Sequence, residues 1–292
     1  MFRSFTVALA AILAASYIRA ATITVTGTGD AIAVDGAVTL REAITSINNG
    51  ARVNADVVAA GAYGTNDQIA FAIPGSGVHT IAPTSALPAI SRPMTIDGYT
   101  QPGSSPNSLA NGDDAVILIE LDGSSAGSSS GLTVTAGNSN VKGLAIGDFL
   151  SGGVELITAG GNTVSGNFLG TDYTGAVARG NHFGVIIKSA GNTIGGLTPP
   201  TRNVVSGNQV GVLVAGASGT GVFGNFIGTD GTGTVAIPSV KLFSGACSAG
   251  GWNGTWMNIS CMSGPASASS LRHTSDVSAR LVRPAGTGRL AS

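Results

Sequence analysis

Residues able to do chemistry are sparse in this chain of 292 amino acids, of which only 10% are charged. Carboxylates gathered around Ca²⁺ beside an Arg or Lys base would serve a polysaccharide lyase, and two carboxylates flanking a glycosidic bond would serve a hydrolase. Asp148, Glu155, Lys188 and Arg202 are the residues available for the first, but no motif joins them and they are expected on different sides of the structure. Asp113-Asp114 offers the second, yet adjacent Asp residues in a polar loop point apart and read as solvated turn residues. Arg41-Glu42 could form a catalytic pair, but Thr39-Leu40-Arg41-Glu42 is a capping box that already accounts for Glu42. His182, in Gly180-Asn181-His182-Phe183-Gly184, is matched by Gln209 in Gly207-Asn208-Gln209-Val210-Gly211, which reads as an exposed corner and not a metal site. Asp172 and Asp230 recur in Gly-Thr-Asp corners 58 residues apart. That is too sparse for the oxygens Ca²⁺ wants, and bonds to their own turns suffice. No catalytic, cofactor-binding or metal residue is therefore assigned.

The elements that would position these residues are more legible. Gly153-Val154-Glu155-Leu156-Ile157 returns as Gly184-Val185-Ile186-Ile187-Lys188 and as Gly211-Val212-Leu213-Val214-Ala215, at steps of 31 and 27 residues. Gly166 to Asp172 returns as Gly224 to Asp230 after 58. Recurrence on this scale marks stacked units, each of short apolar pieces broken by Gly and Asn. Side chains alternate along a strand, so Val154, Leu156, Val185, Ile187, Val212 and Val214 should face a core. Glu155, Ile186 and Leu213 should then point outward in a column with a spacing of roughly 4.8 Å. Ser165-Gly166-Asn167, Ser206-Gly207-Asn208 and Gly224-Asn225 read as corners, where Asn amides can stack into ladders. The expected fold is all-β: a parallel β-helix with a short N-terminal capping helix. In that helix Leu40, Ala43, Ile44 and Ile47 share one face, and Asn49-Gly50 ends it. Laid over the first open end, it would hide unpaired backbone and core.

The runs Gly191-Asn192-Thr193-Ile194-Gly195-Gly196, Arg202 to Asn208 and Asn225 to Asp230 resemble the right-handed parallel β-helix repeats of large bacterial secreted and surface proteins, which implies a right-handed coil here. Val38-Thr39-Leu40-Arg41-Glu42-Ala43 is similar to the Cys-Ser-Leu-Arg-Glu-Ala signature of the CSLREA-domain proteins, with Val38-Thr39 in place of Cys-Ser. The resemblance spans about residues 21–237 and implies the architecture, while saying little of activity. Pectate lyases and polygalacturonases share that architecture, but the His-containing and Arg-x-Lys motifs of the latter are absent.

Composition agrees with a long, thin core of small aliphatics: 45 Gly, 43% hydrophobic and 5% aromatic residues. The body, 21–238, holds 7 Lys or Arg against 14 Asp or Glu, which excludes a basic nucleic-acid surface. Residues 1–20 read as a signal peptide, with Arg3, an apolar run from Phe5 to Ala15, and cleavage after Ile18-Arg19-Ala20. No membrane span is expected once it is removed. The expected organisation is a capped N-terminal segment (21–66), irregular early coils with loops (67–150), regular repeats (151–238) and an atypical tail (239–292). Two polar stretches, Thr100 to Asp114 and Asp122 to Gly131, should loop out from the body. The tail carries Cys247, Cys261, Trp252 and Trp256, and a Cys247–Cys261 disulfide is conceivable in an oxidising compartment. The function expected is that of a secreted or cell-surface scaffold, adhesive or binding a polysaccharide or surface protein along its side, without a cofactor. A polysaccharide lyase or glycoside hydrolase is the alternative.

Overall fold

A computed structural model describes residues 19–245 and the backbone of three short strands beyond them, 248–250, 258–261 and 271–272. Residues 1–18 of the expected signal peptide, the expected Cys247–Cys261 pairing, Trp252 and Trp256 lie outside what is described. The chain is built from strands, with a single α-helix among the described residues. Three sheets share the strands, and from residue 132 to residue 245 the chain visits them largely in rotation. The first sheet has nine strands, beginning with Thr22–Val25, Asp67–Phe71, Met94–Asp97, Asn140–Lys142, Thr163–Ser165, Thr193–Gly195 and Thr220–Phe223. The second has six, from His79–Ile81 and Ile119–Asp122 through Leu144–Gly147, Phe168–Leu169 and Val204–Val205 to Phe226–Ile227. The third, also of six, begins at Leu132–Val134 and runs through Gly152–Leu156, Phe183–Ile187 and Val210–Val214. Within each sheet these strands pair parallel with one another.

Registers follow the periodicity. Val154, Val185 and Val212 are paired in line, as are Leu156, Ile187 and Val214, and all are buried. The same alternation buries Ile69, Ile96, Val141, Val164, Ile194 and Val222 of the first sheet. Glu155, Ile186 and Leu213 form the expected outer column. Ile186 departs from expectation in one respect: it lies outside the main core but is only 3% exposed. A Cβ at Gly152 would meet its Cδ1 at 3.0 Å, so the small residue one strand back lets Ile186 lie flat against the sheet.

The corners are made by asparagine. Backbone N–H of Ser139, Asn162 and Asn192 donates in turn to Asn162 Oδ1, Asn192 Oδ1 and Thr220 Oγ1. A second row links Leu144, Asn167, Asn203 and Asn225, and a third links Phe149, Asn181 and Asn208. Their amide nitrogens bond the next rung and nearby carbonyls, so the buried side chains stay satisfied. Where chain crosses chain most tightly, only Gly fits: a Cβ at Gly160 would stand 1.6 Å from the Ala190 carbonyl oxygen.

The helix, Leu40–Asn49, starts at the predicted box, with Glu42 N–H donating to Thr39 Oγ1 and Thr39 N–H to a Glu42 carboxylate oxygen. Gly50 closes it at φ 64°. Its apolar face, Leu40, Ala43, Ile44 and Ile47, is buried, and the helix packs on Thr22–Val25 and Asp67–Phe71, the first two strands of the stack. No helix among the described residues is long and apolar enough to cross a membrane.

Two expectations need correction. Thr100 to Asp114 is the expected exposed loop, but it is not free of the body. Gln101 and Asn107 are buried, and their amides bond Ile73 and the carbonyl of Pro199, drawing the loop down onto the second sheet. Nor do the sheets stop at Pro238, because Lys241–Gly245 pairs parallel with Val210–Val214. Beyond it the pairing turns antiparallel: Asn258–Cys261 runs along Thr220–Phe223, and Ser248–Gly250 along Asn258–Cys261.

Candidate functional site

A continuous polar column runs up the outer face of the first sheet. Thr22, Gln68, Thr95, Asn140, Thr163 and Thr193 occupy successive strands in register and all are partly exposed. They alternate with the buried aliphatics, so each side chain stands on the solvent side at the sheet spacing of roughly 4.8 Å. No side-chain hydrogen bond within the described residues engages Thr22, Gln68, Thr95, Thr163 or Thr193, and Asn140 Oδ1 is buried without a partner. Apart from the covered Asn140 Oδ1, hydroxyls and amides free of side-chain bonds in a straight row are what a hydroxyl-rich polymer would meet. The column ends at Gly221, over which the Phe223 ring lies. Beside it, Lys142 Nζ is 2.9 Å from Asp97 Oδ2.

The residues singled out from sequence separate into three places. Glu155 and Lys188 prove to be neighbours, Nζ to Oε1 2.8 Å, and Ser130 Oγ also donates to Glu155. Asp148 meets a residue that sequence reasoning passed over, Arg179. Its Nε lies 2.6 Å from Asp148 Oδ2 without lining up a hydrogen bond, while Nη2 donates to Asp122 Oδ2 at 3.1 Å. Burial would lower the Arg179 pKa, but Asp148, Asp122 and Glu120 outweigh it and hold the guanidinium above its ordinary value. Burial likewise pushes Asp122 up, and hydrogen bonds from Ser124 with the charge of Arg179 bring it below the usual carboxylate range. An arginine so held keeps its proton, so this cluster supplies carboxylates but no arginine base. Nothing in the sequence joins Arg179 to Asp122, 57 positions away.

Arg202 is buried in a different place, at the foot of the 101–114 loop. It donates to the carbonyls of Leu109, Ala110 and Gly112, and its guanidinium lies 4.5 Å from the centre of the Phe226 ring. Burial pulls its pKa down, while Asp113 pulls it up. Asp113 is not a solvated turn residue, since its Oδ2 is buried without a hydrogen bond. Burial pushes it up to about 6, against the Ala115 N–H and Arg202, with Asp114 adding to the rise. Tyr99 completes the node, donating its hydroxyl to the Gly166 carbonyl at 2.6 Å, and burial, with Asp113 and Asp97, holds that hydroxyl protonated far above its ordinary value. Around them Ile117, Ala145, Phe168 and Val204 make a small apolar cluster outside the main core. The node is a staple closing the loop over the second sheet.

It also makes stability pH-dependent. The folded value of about 6 for Asp113 exceeds the ordinary unfolded value of about 3.9. Between these the folded chain binds the extra proton, so its stability rises as pH falls from about 7 to about 4. Asp113→Asn is expected to remove up to about 2 kcal/mol of that change. Urea unfolding of both chains at the two pH values measures it, and an identical pH response would show that Asp113 titrates as a solvated carboxyl.

Other readings resolve simply. His182 is exposed, with its ring 4.4 Å from that of Phe183, and stands in line with Gln209. Asp172 accepts from Thr174, Ala176 and Val177, and Asp230 from Thr232, Thr234 and Val235, each bonding its own turn. The two turns touch, Gly231 N–H donating to the Gly175 carbonyl. Arg41 grips Asp30 and the carbonyls of Ser85 and Ala86, fastening the helix to a neighbouring loop. Among the described residues no group of three His, Cys, Asp or Glu side chains could hold a metal ion. The class defined by these features is a β-rich chain of stacked parallel sheets with one free polar flank. Neither a protein-family model, nor a curated protein, nor a solved structure matches the chain.

Proposed function

We propose that the chain is a right-handed parallel β-helix of the CSLREA-domain kind, exported by way of the leader at 1–20 and displayed outside a bacterial cell. There it serves as an adhesive scaffold that binds an extended polysaccharide along its first sheet. The order of the sheets, the constant registers and the helix over the first two strands support the architecture. The observation that carries the binding reading is the column Thr22, Gln68, Thr95, Asn140, Thr163 and Thr193, six polar side chains in register on one flank. A rigid sheet presents such a row without the ordering cost of flexible loops, and a polymer can gain from several rungs at once.

The test is retention on immobilised pectin, alginate, cellulose and peptidoglycan. Thr163→Val with Thr193→Val keeps shape and strand preference while deleting two hydroxyls, and binding should weaken about tenfold or more because hydroxyl partners on the glycan are left unmatched. A double variant that binds like the parent, or a parent that is retained on none of the polymers, would refute the assignment. The alternative, a lyase or hydrolase of the pectate-lyase-like class, draws on the meeting of Asp122 and Asp148 at Arg179. Shortening of any of these polymers, abolished in Asp148→Asn, would establish it instead.

A further inference from the structure

Asp67 is a carboxylate with no exposed surface, at the start of the second strand of the first sheet. Its oxygens accept N–H groups from Ala21 and Gly64, at 2.9 Å and at 3.1 to 3.2 Å, and among the described residues it forms no ion pair with any Lys or Arg. A buried carboxylate held only by neutral amides is incompletely compensated. Ala21, the donor, is itself fully buried, and it is the first residue after the expected leader cleavage point. We infer that Asp67 is the receptor for the new N-terminus: when the leader is cut after Ala20, the α-ammonium of Ala21 forms a buried ion pair with it.

Little else has to move. The nitrogen that becomes the ammonium already stands 2.9 Å from Asp67 Oδ1. The strand that carries it is anchored just beyond, where Thr22 and Ala60 exchange backbone hydrogen bonds at 2.9 Å and Gln68 N–H donates to the Ala21 carbonyl. Among the described residues, cleavage removes the bridge from Ala20 to Ala62 and the bond from Ala62 N–H to the Arg19 carbonyl. Loss of Ala20 opens the site to water, so the two remaining ammonium protons can be solvated or shared with Asp67 Oδ2. The peptidase would act before the sheet forms, since Ala21 is inaccessible afterwards. Processing thereby favours folding, and a cut one residue early or late puts the charge out of place.

The inference rests on the export reading for its cleavage point, but the ion pair can be tested apart from export. Three chains ending at Ser292 would be refolded: one beginning at Ala21 with a free amine, one Nα-acetylated at Ala21, and one retaining Ala20. The free-amine chain should have a folding equilibrium constant about tenfold larger than the other two, and Asp67→Asn should erase that advantage. Equal stability of the free and acetylated chains, a comparison that needs no variant at position 67, would overturn the ion pair, as would an advantage that persists in Asp67→Asn. The mass of the exported protein separates the two ideas: a mature chain starting anywhere but Ala21 overturns Asp67 as the natural receptor, whatever the refolding series shows.

Discussion

Asn203→Ala should destabilise the chain by about 3 to 5 kcal/mol, among the largest losses that a single uncharged substitution can cause here. Asn203 has no exposed surface and sits mid-row in the second asparagine ladder. Its Oδ1 accepts the backbone and side-chain N–H of Asn167 at 2.9 and 3.2 Å, and its Nδ2 donates to the Val164 carbonyl at 2.9 Å and to Asn225 Oδ1 at 2.8 Å. Alanine removes the acceptor of the Asn167 backbone N–H and the side-chain donor to the Val164 carbonyl, while Asn167 Nδ2 keeps the Val141 and Ser165 carbonyls and Asn225 Oδ1 keeps the backbone N–H of residue 203. Each orphaned group costs about 1 to 3 kcal/mol, and some relief comes from rearrangement. The same change at Gln209, exposed and at the head of a strand of the third sheet, should stay within about 0.5 kcal/mol. Urea unfolding midpoints of the two variants give the comparison. A loss below about 1 kcal/mol for Asn203→Ala would mean that water enters the corner and replaces the ladder.

The second large effect is that of Ile187→Asp, which should prevent folding or remove more than about 4 kcal/mol. Ile187 lies between Leu156 and Val214 in the apolar core with no exposed surface, so a carboxylate there is buried among aliphatic side chains. Val185→Asp should behave alike. Ile186→Asp is the informative contrast. From alternation alone this position would be indifferent, but its 3% exposure means that aspartate must displace packing and also face Glu155 one strand away. Lys188 offers partial relief, so a loss of about 1 to 3 kcal/mol is expected. If Ile186→Asp is as harmful as Ile187→Asp, the outer face of the third sheet is itself a sealed layer.

What could be read from the sequence was whatever is decided locally or by recurrence. The capping box at Thr39 and Glu42 is a contract among four consecutive residues, and the register of Val154, Val185 and Val212 follows from equal spacing. Recurrence also placed Gln209 opposite His182. The Arg202, Asp113 and Tyr99 node escaped because its parts are some 90 positions apart and none of them recurs. Polarity misled at Thr100 to Asp114, where Gln101 and Asn107 looked suited to water but bond the backbone of distant chain instead. Arg179, a lone cation in a run of small residues, gave no sign that two carboxylates from other strands converge on it. The free polar column was visible only in part: Thr163 and Thr193 share an Asn-Thr pattern, while Gln68 and Thr95 belong to strands without strict repetition.

The asparagine rows all have one polarity. In each, a side-chain oxygen receives backbone N–H from the earlier rung while the same residue's own backbone N–H donates to the later one. A rung therefore carries its own plug and socket, and any complete turn of chain ends in the same connectors with which it began. Recombination that duplicates or excises one whole turn rejoins matching ends, whereas an event of any other size strands a donor or an acceptor in a dry corner. Length in such a molecule is inherited in discrete steps, so lineages can grow or shrink the polar flank one rung at a time without reinventing the fold.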